Sequence, residues 1–290
     1  MIPVQFDYAV PATLDEALAS LAATPGARAI AGGQTLLSAL KNGSAAPAVV
    51  VDISRLAGLA GIATTGSTLD LGALTRLSAL ADGAGIPVSA HALIDAARSL
   101  ADPQVRNAAT LGGSLASNEA AADVPVALLA LGASVHAKAA GGSRTLAVAD
   151  LLNGANTTAL RAGELITGIA VPLAEKAGSA YEKFVNPAGG YALVGVAVSL
   201  RLDAAGVVKG CGVAVTGTSR GAVTLPAAEQ ALLGRSLDGA AIKAAVAAAR
   251  LDRVEYPTDL SASAEYRAHL AGVLLERAAR AAATRAGAQL

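Results

Sequence analysis

The sequence predicts an α+β protein made of three successive units. Three observations lead there. Apolar runs and helical stripes alternate as β-α-β-α-β over roughly the first 55 residues. A middle stretch mixes short strands with helices around paired glycines. The last third runs strands first and helices after, the ordering of an α+β domain. The unit boundaries are placed at 1–57, 58–176 and 177–290.

In the first unit, residues 4–8 read as a strand. Thr13 opens a helix, with Glu16 three residues on completing a capping box. Leu14, Ala17, Leu18 and Leu21 give that helix one apolar stripe. The apolar run 27–31 ends in Gly32-Gly33. A second helix is expected over 35–41, stopped by Asn42-Gly43. The β-branched run 49–53 is the mark of a buried strand.

In the second unit, strands are expected at 59–64 and 68–72 around Thr65-Gly66-Ser67. Helices follow at 75–82 and 88–101, then a glycine-marked loop at 110–118 and a helix over 123–131. Gly141-Gly142 turns between strands at 133–138 and 143–147. A strand over 164–171 is closed by Pro172. The third unit has antiparallel strands at 179–185, 191–202 and 207–216. Helices at 226–233, 238–250 and 261–285 complete it. The Gly-rich stretch 216–221 reads as a hairpin end.

Composition narrows the function. Lys plus Arg and Asp plus Glu both total 22, so the formal charge is zero; with five Tyr, two Phe and no Trp, nucleic-acid binding is disfavoured. The 53% of hydrophobic residues is largely Ala. The most apolar window, 124–135, is broken by Pro125 and Gly132 and falls short of the roughly 20 residues of a span. The N-terminal sequence has no signal-peptide pattern, so a cytoplasmic protein is expected. One cysteine, Cys211, rules out an internal disulfide, and an iron–sulfur cluster needs about four thiolates. His91, His136 and His269 are too scattered in sequence for a zinc motif.

Two motifs carry chemistry. Ala31-Gly32-Gly33-Gln34-Thr35 lies between a strand and a helix. Adjacent glycines let the backbone approach a ligand and aim successive amides into one concavity, at a helix N-terminus that favours anions. An ordinary strand-to-helix turn would look the same. Thr110-Leu111-Gly112-Gly113-Ser114-Leu115-Ala116-Ser117 repeats the glycine pair among hydroxyls. There Thr110, Ser114 and Ser117 are positioned to donate to phosphate or ribitol. Asp123, just ahead of a helix, is either an N-cap or an acceptor for a cofactor hydroxyl. No Lys or Arg adjoins either loop, so an anion would be held by backbone dipoles. Neither a P-loop nor a G-x-G-x-x-G is present.

The stretches AGGQTLLSALKNG (31–43) and DPQVRNAATLGGSLASNEAAADVPVALLALGA (102–133) resemble the FAD-binding subunit of molybdenum hydroxylases, the group of carbon monoxide dehydrogenase and xanthine dehydrogenase. The likeness extends through LGALT (71–75), ELITGIAVP (164–172) and the YEKF…GGYALVGVAVSL region (181–200). It implies a two-subdomain FAD-binding fold of the vanillyl-alcohol-oxidase/PCMH type, followed by a C-terminal antiparallel sheet with helices. Ala31, Gly32, Gly33, Gln34 and Thr35 would hold the diphosphate, followed by Leu36 and Leu37. Thr110, Gly112, Gly113, Ser114 and Ser117 would line the other side. Asp123 would take a cofactor hydroxyl. Ile166 and Lys183 match positions near the adenine or the flavin. From the residues alone, Lys183 reads either as a cation near the flavin or as a solvated strand lysine, and Tyr191, after Gly189-Gly190, either as cover for one ring face or as a hairpin aromatic.

The resemblance further implies partners: a large molybdopterin subunit and a small 2Fe-2S subunit, in an (αβγ)2 assembly. This chain would relay electrons to NAD+, a quinone or oxygen and would need no acid–base constellation of its own. Three departures stand out. Gln34 replaces a common His or Asn, Ser114 replaces Asn, and Asn118-Glu119-Ala120 replaces a more typical Asp-Pro pair. With no His or Cys in either loop, the FAD would be non-covalent. Two alternatives remain: a freestanding flavin oxidoreductase, or an assembly subunit whose glycines only make turns. Cys211 reads as a buried inert thiol, and Arg106 and His91 as surface residues.

Overall fold

A computed structural model describes residues 5–290; the first residue of the expected 4–8 strand lies outside the described residues. The chain builds three sheets. The first unit comprises β1 (Asp7–Ala9), α1 (Leu14–Ala23), β2 (Arg28–Ile30), α2 (Leu36–Asn42) and β3 (Val49–Asp52). Its strands are parallel in the order β1-β3-β2, so the ends of β2 and β3 that carry Ala31 and Ile53 emerge on the same edge. The Thr13 hydroxyl caps α1 by accepting from the Glu16 amide. The Glu16 carboxylate reaches back to the Ala12 amide, one residue beyond an ordinary capping box. Gly43, in the left-handed region at φ 80°, ends α2 as expected.

The second unit holds β4 (Ile62–Thr65), β5 (Thr68–Gly72), α3 (Leu77–Asp82), α4 (His91–Ser99), α5 (Pro103–Ala108), α6 (Leu111–Ser117) and α7 (Asp123–Ala130). It ends with β6 (Ser134–Ala139), β7 (Gly142–Ala147), α8 (Val148–Leu151) and β8 (Leu165–Pro172). The sheet order is β4-β5-β8-β6-β7, antiparallel throughout. Two expectations are corrected here. The 110–118 loop is largely a helix, and 103–108 is a helix that had not been expected. Two glycines ordinarily disfavour a helix by about 1 kcal/mol each. Here α6 is held from outside, because the Leu111 and Gly112 amides donate to Thr75 O and Ala73 O of a neighbouring segment at 2.9 and 2.8 Å. For α5 the signal was present: Asp102 caps Gln104 and Val105, and Pro103 sits at the first helical position.

The third unit is the antiparallel sheet β9 (Ala177–Val185), β10 (Ala192–Leu202), β11 (Val208–Thr218) and β12 (Gly221–Thr224), ordered β12-β11-β10-β9. Strand β12 had not been expected; the 216–221 stretch is the tight turn into it. Helices α9 (Pro226–Leu232), α10 (Gly239–Ala248) and α11 (Ala264–Arg285) follow, and α11 packs on β9 and β10. The opposite face of this sheet receives α7. Gly212 allows that approach, since a Cβ on it would lie 2.1 Å from Ala130 O; one on Gly195 would meet the Tyr181 hydroxyl of the neighbouring strand at 2.0 Å. Helix α7 is buried along its length, which explains why its sequence reads as one apolar run. Among the described residues no helix is long and apolar enough to cross a membrane.

Two apolar seams join the units. Leu74 and Leu165 of the second unit share a core with Ala17, Leu18 and Val51 of the first. Tyr181, Ala197 and Ala214 of the third share the core of the second. A further link is ionic: Arg285 on α11 forks onto Asp95 on α4 at 2.5 and 3.1 Å, and also donates to Ser179 O.

Candidate cofactor site

The two glycine turns meet. Gly32 lies so close to the segment leading into α6 that a Cβ on it would fall 2.1 Å from Ala108 O and 2.8 Å from Ala109 Cα. Arg76 closes the same junction: its guanidinium donates to Ala108 O, and its backbone pairs with Thr110 across a β-bridge. Residues some 75 positions apart in sequence, Gly32 and Ala108, are therefore one structural element.

The turns differ in what they offer. The amides of Gly32, Gly33, Gln34, Thr35 and Leu36 donate to no acceptor among the described residues. Gly33 has φ 72°, a conformation that only glycine adopts without strain, and it turns the chain so that these amides follow one another on an accessible rim. Five consecutive donors are therefore left unpaired within the protein at this turn. Gln34 folds its amide back to Gly32 O at 3.3 Å, and Leu37 lies 44% exposed beside the rim.

The second turn has no such free donors. Besides the two amides given to Thr75 and Ala73, Gly113 N donates to Thr110 Oγ1 and Ser114 N to Thr110 O. The second loop's amides, expected to be free, are instead spent within the protein. Helix formation is the reason, since it consumes the amides that a loop would leave free. The expectation that no basic residue adjoins the loops is also corrected, because Arg76 arrives from a distant part of the chain. Thr110 is buried and used as the cap, and the Ser117 hydroxyl donates to Ser114 O. Gly112 is packed on Ala73, where a Cβ would meet Ala73 Cβ at 2.7 Å. Gly113 is exposed, and a Cβ there would meet only Thr110 Oγ1. Gly113 and Ala116 are the exposed residues of α6, with Ser114 and Ser117 half-buried beside them.

Asp123, Lys183 and Tyr181 form a buried cluster between α7 and β9. Tyr181 OH donates to Asp123 Oδ1 at 2.5 Å, and Lys183 Nζ donates to Oδ2 at 2.9 Å and to Ser99 O at 3.3 Å. The Lys183 and Asp123 side chains are 3% and 5% exposed. Burial pushes the Asp123 carboxyl up from its ordinary range, while Lys183 and the Tyr181 hydroxyl pull it back. Burial also raises the Tyr181 phenol. Asp123 is the first residue of α7 rather than its cap, which is Ala122. Each Asp123 oxygen thus already accepts one hydrogen bond within the protein. Tyr181 was not singled out from the sequence; its spacing of two from Lys183 on one strand, which puts both on the same face, was the available signal.

The remaining residues are spread out. The Ile166 side chain, 6% exposed, belongs to the core of the second unit. Tyr191 is 61% exposed after a hairpin whose Gly190 packs on Ala101, just before α5. Arg106 is half-buried and ties the end of α4 by donating to Leu100 O and Ala101 O. His91 is half-buried, its imidazole pKa lowered by burial and by Arg285. The Cys211 thiol is pushed up to about 12 by burial, as an inert thiol should be. Asn118, at φ 43° and buried, ties the chain after α6 to Gly154 O and Thr157 O. Asn tolerates this left-handed position, so the departure at 118–120 is accommodated.

Comparison with known proteins places this geometry. Residues 4–174 match the FAD binding domain in molybdopterin dehydrogenase, and residues 179–282 match the CO dehydrogenase flavoprotein C-terminal domain. The chain belongs to the FAD-binding subunits of the molybdenum hydroxylases. It is 37% identical over 279 residues to the 6-hydroxypseudooxynicotine dehydrogenase complex subunit alpha of Paenarthrobacter nicotinovorans, covering 96% of this chain and 94% of that one. It is 34% identical over 284 residues to the carbon monoxide dehydrogenase medium chain of Hydrogenophaga pseudoflava, covering 97% and 98%. A carbon monoxide dehydrogenase structure from Hydrogenophaga pseudoflava superposes with a TM-score of 0.92 at 34% identity, over 98% of this chain and 99% of that one. Quinoline 2-oxidoreductase from Pseudomonas putida 86 superposes at 0.90, with 29% identity and 99% of both chains covered. As a member of this family the flavoprotein subunit has the α+β fold that its motifs implied, a FAD-binding domain, and relatives that are dehydrogenase subunits of multi-subunit complexes.

Proposed function

We propose that this subunit holds FAD non-covalently and passes electrons from iron–sulfur clusters of a partner subunit to an external acceptor such as NAD+, a quinone or oxygen. The observation that carries the reading is the junction of Gly32 with Ala108–Ala109 beside five unpaired amides. A dinucleotide diphosphate fits such a cradle, because each phosphate oxygen accepts several N–H donors. Gly32 to Leu36 would hold the diphosphate, with Ala31 and Leu37 beside them. Gly112, Gly113 and Ser114 would line the facing wall, supported by Thr110 and Ser117. Tyr191 is proposed to cover a ring face, and the Asp123–Lys183 pair and Ile166 to flank the cofactor. When bound, FAD supplies exchange between one-electron and two-electron carriers. The chain's own residues bind, orient and shield it.

The partners proposed are a large molybdopterin subunit and a small 2Fe-2S subunit in an (αβγ)2 complex, located in the cytoplasm. Support comes from the relatives named as medium chains and complex subunits. Division into units at 57/58 and 176/177 is supported by the three separate sheets. Purified alone, the chain should show flavin absorption, released on denaturation. When co-expressed with its neighbouring genes it should be recovered with a large and a Cys-rich small chain. Colourless protein that takes up no added FAD would overturn the binding reading. Oxidation of an organic substrate by the isolated chain would favour the freestanding enzyme instead.

A further inference from the structure

Tyr181 is a buried titratable group to which the reading above gives no part. Ser179, Tyr181 and Lys183 alternate along β9 and so share one face, turned toward α4 and α7 of the second unit. Tyr181 joins two carboxylates there. Its phenol donates to Asp123 Oδ1 at 2.5 Å, and its backbone N–H donates to Asp95 Oδ2 at 3.1 Å. The next strand reserves room for the phenol, because any side chain at Gly195 would put a Cβ 2.0 Å from its oxygen. The groups facing this cluster from α4 are Ser99 and Asp95, the latter neutralised by Arg285 of α11. Strands β10, β11 and β12 bring Ala197, Ala214 and Ala222 to the core shared with α7, none of them charged. Among the described residues Lys183 is thus the cation that balances Asp123.

A carboxylate this buried is held charged by the groups that donate to it, and removing one donor raises its affinity for a proton. A phenol suits that task because it adds a hydrogen bond without adding charge. Burial keeps this phenol protonated, so it remains a donor through the neutral range. We propose that Tyr181 is a positioning residue for the flavin: by donating to Asp123 it keeps that carboxylate charged and turned to Lys183, so that the pair carries no net charge beside the cofactor. This rests on the FAD reading above, in which the pair flanks the flavin, and adds to it a residue that sets the flavin's potential. Protonation of Asp123 would leave Lys183 uncompensated, and a lone buried cation favours the negative charge of a reduced flavin.

The test uses Tyr181→Phe in the full chain and reads two quantities. One is the protonation of Asp123 in the flavin-free protein, followed by carbon NMR of isotope-labelled aspartate, with Asp123→Asn to assign the signal. The other is the midpoint potential of bound FAD across the acid-to-alkaline range. Loss of the phenol should raise the proton affinity of Asp123 roughly tenfold or more, the scale of a lost charge-assisted hydrogen bond. The potential should climb above that of the wild type as pH falls and approach it at alkaline pH, where Asp123 is ionised in both. Ser179→Ala is the structural control. It removes the hydrogen bond that the Ala92 amide gives to the same face of β9 at 3.0 Å, and should lower stability while moving neither quantity. Uniform fluorotyrosine, a stronger donor of similar size, should shift both quantities the other way, which keeps the test open if Tyr181→Phe does not fold. An unmoved Asp123 signal in folded Tyr181→Phe or in the fluorinated protein would overturn the proposal. So would a potential indifferent to the shift in Asp123, or equal shifts in Ser179→Ala. If the wild type takes up no FAD, it is the FAD reading itself that fails.

Discussion

Replacing Gly32 by Ala isolates the contact on which the site is built. The added Cβ would sit 2.1 Å from Ala108 O, 2.8 Å from Ala108 C and 2.8 Å from Ala109 Cα. All three are main-chain atoms, so no side-chain rotation relieves the clash. The turn and the Ala108 segment must separate by about 1 Å to restore van der Waals contact. Overpacking of this kind costs about 1–3 kcal/mol. Part of that cost falls on stability and part on the alignment of the amide rim. If 2–3 kcal/mol of it reaches the bound state, FAD affinity falls roughly 30- to 150-fold. Titration of the apo protein, followed by quenching of flavin fluorescence, reads the affinity, and thermal melting of the same samples reads the stability. Gly113→Ala is the matched comparison, since its Cβ would meet only Thr110 Oγ1 at 2.8 Å. It should lower affinity less and leave the junction intact. A Gly32→Ala protein that binds FAD as the wild type does would refute the reasoning, because the junction would then be irrelevant to the cradle.

Other outcomes follow from the same structure. Lys183→Met should destabilise by about 3–5 kcal/mol, because it strands the buried Asp123 carboxylate; Lys183→Met combined with Asp123→Leu should recover part of that loss in a denaturant melt. Arg144 holds the Glu164 carboxyl below its ordinary 4.5, against the opposing effect of burial. Because the unfolded carboxyl takes up its proton first on acidification, the pair's contribution is present above pH ~4.5 and fades as pH falls through the folded value. Glu164→Gln should therefore flatten that part of the acid-stability profile and leave the slope near neutrality unchanged. Cys211, with its thiol near 12, should resist iodoacetamide at pH 8 in the native protein and react once the chain is unfolded, as mass spectrometry would show.

Much of the fold could be read locally. Thr13 with Glu16, Asn42-Gly43 and the 49–53 run predicted elements that the chain adopts, because caps, left-handed stops and β-branched runs act within a few residues. The α6 segment escaped, because its two glycines argue against a helix and only Ala73 and Thr75, some 40 residues away, supply the bonds that hold it. Lys183 escaped too. A lone strand lysine reads as solvated until Asp123 and Tyr181 arrive from α7 and the same strand to surround it.

The amino-acid sequence by itself determined the order of elements, the two glycine motifs and, through their resemblance, the cofactor. Short-range rules suffice for the first two, since capping, periodicity and glycine's conformational freedom involve only neighbouring residues. Tertiary structure alone decided which amides stay free, that Gly32 abuts Ala108, and that Arg76 joins them. Those are contacts between segments distant along the chain, and whether a donor is available depends on every other acceptor that folding brings near.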